Sequence, residues 1–95
     1  MFIATLKFSG NKDQMSQFLG AHKKWIKQGF DDGIFLLAGS LQPGLGGGIL
    51  AHNITRADLE ARLNEDPFVQ QKIVTADVLE IDPSMTDERL AFLRE

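Results

Sequence analysis

A histidine in the middle of an apolar helical stripe is the first sign of chemistry in this sequence. His22 lies among Phe18, Leu19, Trp25 and Ile26, at a position where leucine would pack equally well. An imidazole exchanges a proton near neutral pH, which is what a general acid–base catalyst must do. The alternative interpretation is a core or interface histidine that makes one hydrogen bond and takes no part in catalysis.

Asp66 is the candidate partner for that imidazole. It precedes Pro67, and this pair predicts a helix start, with aspartate as the N-cap and proline as the first helical residue. A carboxylate offers about four lone-pair sites, so capping leaves room for a hydrogen bond to His22. An aspartate held in this way would fix the tautomer and orientation of a catalytic histidine. Sequence spacing alone does not bring the two residues together.

Ser40 and Trp25 are the candidate substrate-binding residues. Ser40 follows Gly39 late in a buried strand, where its hydroxyl either ends the strand or faces a ligand. Trp25 stands one helical turn after His22, so it is expected in the core or in a pocket wall.

The sequence predicts neither a metal site nor a cofactor. It contains two histidines and no cysteine, and His22 and His52 are not at the spacing of zinc ligands. The glycines of segment 44–48 lack the Gly-Lys-Ser/Thr ending of a P-loop. Any reaction would therefore depend on side chains alone.

Composition argues against two classes of partner. With a formal net charge of −3 and a pI of about 5.3, the chain lacks the basic face of a nucleic-acid binder. Its one basic cluster, formed by Lys23, Lys24 and Lys27, is expected to face water. No apolar run is long enough to span a membrane, and the N-terminus does not resemble a signal peptide. We therefore expect a cytoplasmic protein with no membrane partner.

Hydrophobic periodicity predicts four strands and two main helices. Strict alternation marks a first strand that is buried mainly on one face, whereas the later strands are apolar on both faces. The strands are expected at 2–8, 34–41, 48–52 and 73–81. The helices are expected from residue 11 or 13 to Phe30, from Thr55, from Asp66 and from Ser84.

This order of elements is the βαββαβ pattern of an α+β, ferredoxin-like domain. Residues 1–95 form one domain, with a core over 1–83 and a helical tail over 84–95. Right-handed crossovers place both main helices on one face of a four-stranded antiparallel sheet. The other face of the sheet is too apolar to remain exposed to solvent, so we expect a second copy of the chain to cover it in a homodimer. The alternative is that the terminal helix of the same chain covers this face. We expect that dimer to close a dry chamber in which His22 and Asp66 meet.

The ordered set of motifs resembles the YciI-like (YCII-related) family up to Pro83. The features that carry the resemblance are the alternating first strand, Ala21-His22, Gly33-x-Phe35-Leu36-x-Ala38-Gly39-Ser40, Gln42-Pro43 with Gly46-Gly47-Gly48-Ile49-Leu50-Ala51, and Glu65-Asp66-Pro67-Phe68. The resemblance implies a dimeric α/β-barrel whose pocket holds a His–Asp pair, here His22 and Asp66. Ser40 matches the position where the family has Ser or Pro after Gly.

One departure from the family concerns charge. Many members have Arg-Pro two or three residues before the histidine, whereas Leu19-Gly20 stand there in this chain. If that arginine binds an anionic substrate, this protein must use another cation or another substrate. A known relative is a lyase that removes chloride from a chlorinated hydroxyquinol, and related dimeric barrels isomerise or oxidise small cyclic compounds.

Two functions stay open at this stage. The first is a cofactor-free lyase or isomerase that acts on a small cyclic or aromatic compound, with His22 and Asp66 as the proton-transfer pair. The second is a non-catalytic small-molecule-binding or interaction module, in which His22 is a hydrogen-bonding or core residue.

Overall fold

The chain forms one four-stranded antiparallel sheet with its helices on one face, which confirms the α+β, ferredoxin-like prediction. The structure, a computed structural model, describes residues 1–94. The strands are β1 (Phe2–Phe8), β2 (Phe35–Leu41), β3 (Gly46–Ala51) and β4 (Val74–Glu80), in the spatial order β2-β3-β1-β4. The α-helices are α1 (Met15–Asp31), α2 (Arg56–Leu63) and α3 (Pro67–Gln70), and 3-10 turns cover Lys12–Gln14 and Glu88–Arg94.

Side-chain caps begin the second and third helices as the sequence predicts. The Thr55 hydroxyl accepts the N–H of Asp58 at 3.1 Å, and the Asp66 carboxylate accepts the N–H of Phe68 at 3.1 Å. Each bond satisfies one backbone donor that the first helical turn leaves unpaired.

The terminal helix differs from the prediction that it starts at Ser84. It is a 3-10 segment that begins at Glu88. The reason is local, because Asp87 rather than Ser84 supplies the capping oxygen and accepts the N–H of Arg89 at 2.9 Å.

The core lies between the sheet and the helices. β1 contributes its alternate residues Phe2, Ala4 and Leu6, and these pack with buried residues of the other elements, including Phe35, Leu59, Leu63, Phe68 and Ile73. α1 crosses β2 closely at Gly29, where an added Cβ would overlap the Phe35 ring. This close approach brings the C-terminal end of α1 down onto the sheet.

The opposite sheet face carries an apolar row across all four strands. Leu37, Leu50, Ile3 and Leu79 are register partners, so they share that face. Leu37 is 55% exposed and Leu79 is 61% exposed. The terminal segment contacts His52 at the end of β3, where Phe92 packs edge-on against the imidazole with ring centroids 5.6 Å apart. Ile3 and Leu50, in the middle of the row, are half-buried, whereas Leu37 and Leu79 at its two ends stay exposed.

Within residues 1–94, no helix combines the length and the hydropathy that crossing a membrane requires.

Candidate active site

The helices α1 and α3 bring His22 and Asp66 into contact, although 44 positions separate them in the chain. His22 projects from the middle of α1, and Asp66 is the N-cap of α3. The His22 Nδ1 and Asp66 Oδ1 atoms are 2.7 Å apart, which is a hydrogen bond between side chains. The helix cap and the histidine partner are thus the same residue.

The Asp66 carboxylate is completely removed from solvent. Its exposed fraction is 0%, and Oδ1 takes both the His22 bond and the Phe68 N–H. The other oxygen, Oδ2, has no hydrogen-bond partner among residues 1–94. A buried carboxylate with an unpaired oxygen is costly unless positive charge lies nearby. The ring of His22 is the group in contact that can carry such a charge.

Aromatic stacking holds the His22 ring in one plane. The imidazole lies flat against Phe68, with centroids 3.9 Å apart and planes 3° apart. Trp25 lies further off, at 6.2 Å. With Nδ1 bound to Asp66, Nε2 is the ring nitrogen left for a ligand. Nε2 has no hydrogen-bond partner within residues 1–94, and it is in contact with solvent.

A cleft of about 460 Å³ opens beside this imidazole, between α1 and the helix-covered face of the sheet. Its α1 wall is formed by Met15, Leu19, His22, Lys23, Ile26 and Phe30. Its sheet wall includes Leu6, Ala38, Ser40, Gly47 and Ile49. A volume of this size suits a small organic ligand, and the wall is mainly apolar with few polar groups.

A glycine gives the cleft its room. Gly47 pairs with Leu6 and with Ser40, so its missing side chain would point to the helix side of the sheet. Among residues 1–94, the one atom within 4 Å of a Cβ built there is the Gly39 carbonyl oxygen, at 3.4 Å. The space above Gly47 is therefore part of the cleft.

The four candidate residues occupy different places. His22 and Ser40 line the cleft, and Asp66 lies behind His22 without lining it. Trp25 also does not line the cleft. Its indole N–H donates to the Arg62 carbonyl oxygen at 3.0 Å, and its ring packs edge-on against Phe35.

One expectation about the site is wrong. The His–Asp pair and the cleft lie on the helix-covered face of a single chain, not in a chamber between two sheets. Lys23 is exposed to solvent, as expected, and it also lines the cleft, which was not predicted. Its spacing of four residues from Leu19 and three from Ile26 is the signal that could have shown this.

Within residues 1–94, no cluster of three or more histidine, cysteine, aspartate or glutamate side chains is placed to hold a metal ion.

Comparison with known proteins identifies a structural likeness. No protein-family model matches the sequence, and no curated protein matches it. Among solved structures, the chain is similar to the 5-chloro-2-hydroxyhydroquinone dehydrochlorinase of Burkholderia phenoliruptrix AC1100, in its complex with 2,5-dihydroxybenzoquinone. The TM-score is 0.71 at 12% sequence identity, over 84% of this chain and 91% of that one. At this identity the likeness is one of fold, and the ferredoxin-like fold is what the two chains share.

Proposed function

We propose that this protein binds a small cyclic or aromatic compound in the cleft and acts on it as a cofactor-free lyase or isomerase. The observation that carries the proposal is the 2.7 Å bond between His22 and the buried Asp66, at the wall of an apolar cleft. The structural neighbour supports the choice of ligand and reaction, because its name is that of a dehydrochlorinase and its bound compound is a dihydroxybenzoquinone.

His22 is the proton-transfer group in this proposal. Its Nε2 takes a proton from a carbon or hydroxyl of the bound ring, and the electron pair of that broken bond stays on the substrate. In an isomerisation the proton returns at another atom; in an elimination the electron pair expels a leaving group. Proton transfer by a positioned side chain typically contributes about 10²–10⁴-fold in rate.

Asp66 acts through His22. Its carboxylate accepts a hydrogen bond from the Nδ1–H group, which fixes the tautomer with Nε2 free, and its charge stabilises the imidazolium that forms during the reaction. Phe68 keeps the ring from rotating out of this geometry. The pair works as one unit because a charge that develops on His22 is matched within hydrogen-bond distance.

Ser40 and Trp25 have supporting roles. The Ser40 hydroxyl is a polar group on the sheet wall and hydrogen-bonds the ligand. Trp25 stands behind the site and anchors α1 to α2 through Arg62. A homodimer, formed through the apolar row of the open sheet face, completes the assembly and leaves one cleft in each subunit.

Proton exchange in heavy water tests the proposal. A panel of cyclic and aromatic acids, lactones and 5-chloro-2-hydroxyhydroquinone is incubated with the protein in D₂O. Proton NMR then follows deuterium incorporation and turnover, and a chloride assay follows release of chloride. We expect His22→Asn to lower the rate at least ~100-fold, in line with the loss of general acid–base catalysis. His52→Asn is the matched control, because His52 does not line the cleft.

A binding module is the second candidate, and the cleft itself favours it. A mainly apolar cavity of about 460 Å³ with a few polar side chains is sufficient for ligand binding without chemistry. Compounds that bind in the cleft but show neither exchange nor turnover would support this candidate. A panel in which nothing binds would contradict both.

A further inference from the structure

The α1 wall of the cleft carries a lysine next to the histidine. Lys23 follows His22 in α1 and lines the cleft with Leu19 and Ile26. Side chains three and four residues apart share a helix face, so these three project to the same side. Lys23 is exposed overall. A lysine on an apolar wall packs its aliphatic stem against that wall and keeps its ammonium group in water.

Lys23 is the cationic side chain at the wall of the cleft. Among residues 1–94 it is, apart from His22, the only titratable side chain in the lining, which includes no aspartate or glutamate. Within residues 1–94 it makes no ion pair, in contrast to Lys27, Arg56, Arg62 and Arg89. The lining thus presents an unpaired cation to a ligand, while the Asp66 carboxylate lies buried behind His22 and is bonded to it.

We propose that Lys23 is the anion-recognition residue of the cleft, and that the ligand is a small cyclic or aromatic compound with one carboxylate or phenolate group. The ring fills the apolar interior, and the anionic group meets the ammonium at the mouth. This inference rests on the proposed function and adds the charge of the substrate to it. Two-point attachment of this kind also orients the ring, so that one of its atoms faces Nε2 of His22.

Matched pairs of ligands test the inference. Benzoate with benzamide, and salicylate with salicylamide, differ in charge but hardly in shape. Each is titrated into the full-length ¹⁵N-labelled protein, and the shifts of the cleft amide signals give the dissociation constants. The variants are Lys23→Gln and, as control, Lys24→Gln, because Lys24 is the adjacent lysine and does not line the cleft. The amide spectrum of each variant verifies its fold.

The wild-type protein should bind the anions more tightly than the amides. Lys23→Gln should weaken binding of the anions about 5- to 10-fold, as expected for one charge-assisted contact at a rim, and that of the amides less than about 2-fold. Added salt should weaken anion binding by the wild type and leave amide binding unchanged. Lys24→Gln should behave as the wild type does.

Three results would overturn the assignment: equal affinity for anions and amides, an anion preference that survives in Lys23→Gln, or no shift of cleft amides with any anion up to its solubility. The deuterium-exchange test separates this failure from failure of the proposed function. Exchange that depends on His22 without a Lys23-dependent anion preference rejects only the role of Lys23. The reverse pattern keeps the anion site and rejects the catalysis.

Discussion

The imidazole of His22 stacks on the ring of Phe68, with centroids 3.9 Å apart and planes 3° apart. Phe68 also donates its backbone N–H to Asp66 Oδ1, the oxygen that bonds His22. One short turn, 66–68, therefore starts a helix, fills the core and builds the wall of the cleft. This sharing makes the geometry of the site depend on the same contacts as the stability of the fold.

Removing the shared carboxylate should destabilise the protein more than removing an ordinary cap. Asp66→Ala loses the cap of α3 and the bond to His22, so we expect a loss of about 2–4 kcal/mol in the free energy of unfolding. Thr55→Ala loses only the cap of α2 and should cost about 1 kcal/mol. Urea unfolding at neutral pH measures both values. Equal losses would mean that the His22 bond contributes nothing.

A side chain at Gly47 should close the cleft without unfolding the sheet. Gly47→Val points into the cleft, and valine is a good strand former, so binding of benzoate should weaken at least ~10-fold while stability changes by less than about 1 kcal/mol. Gly39→Val is the control. The Gly39 backbone borders the cleft, but Gly39 pairs with Gly48, so an added side chain points to the opposite face, where its Cβ meets nothing within 4 Å among residues 1–94. Unchanged benzoate binding by Gly47→Val would show that the ligand sits elsewhere.

Sedimentation should show a dimer of the 10.5 kDa chain that depends on the apolar row. Leu79→Lys places a charge on a face that dimerisation would remove from solvent. It should raise the dissociation constant of the dimer at least ~100-fold, which is about 3 kcal/mol of binding free energy. Each monomer should remain folded because Leu79 lies outside the core. Met85→Lys is the control, since Met85 is 91% exposed and lies beyond β4. A wild type that sediments only as a monomer would contradict the dimer.

The end of α1 should make stability depend on pH through Asp32. Hydrogen bonds from the Gln28 amide and the Arg62 guanidinium lower the pKa of Asp32. A carboxyl with a lowered pKa in the folded state stabilises the fold above its ordinary pKa, and this contribution is lost as the pH falls through the folded-state value. Asp32→Asn should therefore lower the thermal midpoint at pH 7, and the difference from wild type should shrink towards about pH 3.

Asp31→Asn is the control for that series. Asp31 pairs with Lys27 on the same exposed helix face, whereas Arg62 connects Asp32 to α2. Exposed pairs within one helix contribute little, so the control should shift the midpoint less. A difference for Asp32→Asn that stays constant from pH 7 to about pH 3 would exclude the ion pair as its cause.

Local signals in the sequence determined most of the fold. Periods of two and of about 3.6 residues identify β1 and α1, and the capping oxygens of Thr55 and Asp66 mark where α2 and α3 begin. These features depend on contacts between residues that are close in the chain. They can therefore be predicted from residue types and their local spacing. The right-handed crossover rule then limits the topology to the sheet that is observed.

The faces of β2 were decided by tertiary structure. Nearly every residue of this strand is apolar, so alternation could not assign its two sides. A register shift between Phe35 and Leu37 lets Phe35 face the helices while Leu37 joins the open face and Ser40 lines the cleft. A bulge of this kind is a property of the strand pairing and not of the residues themselves.

The chemistry of the site likewise appeared only in three dimensions. The sequence supplied an imidazole and a carboxylate, but the packing of α1 against α3 brought them to 2.7 Å. Successive helical residues point about 100° apart, so a small rotation of α1 decides that Lys23 lines the cleft and that Trp25 does not. Residue type and local spacing thus fixed which groups were available, whereas long-range packing decided which of them meet.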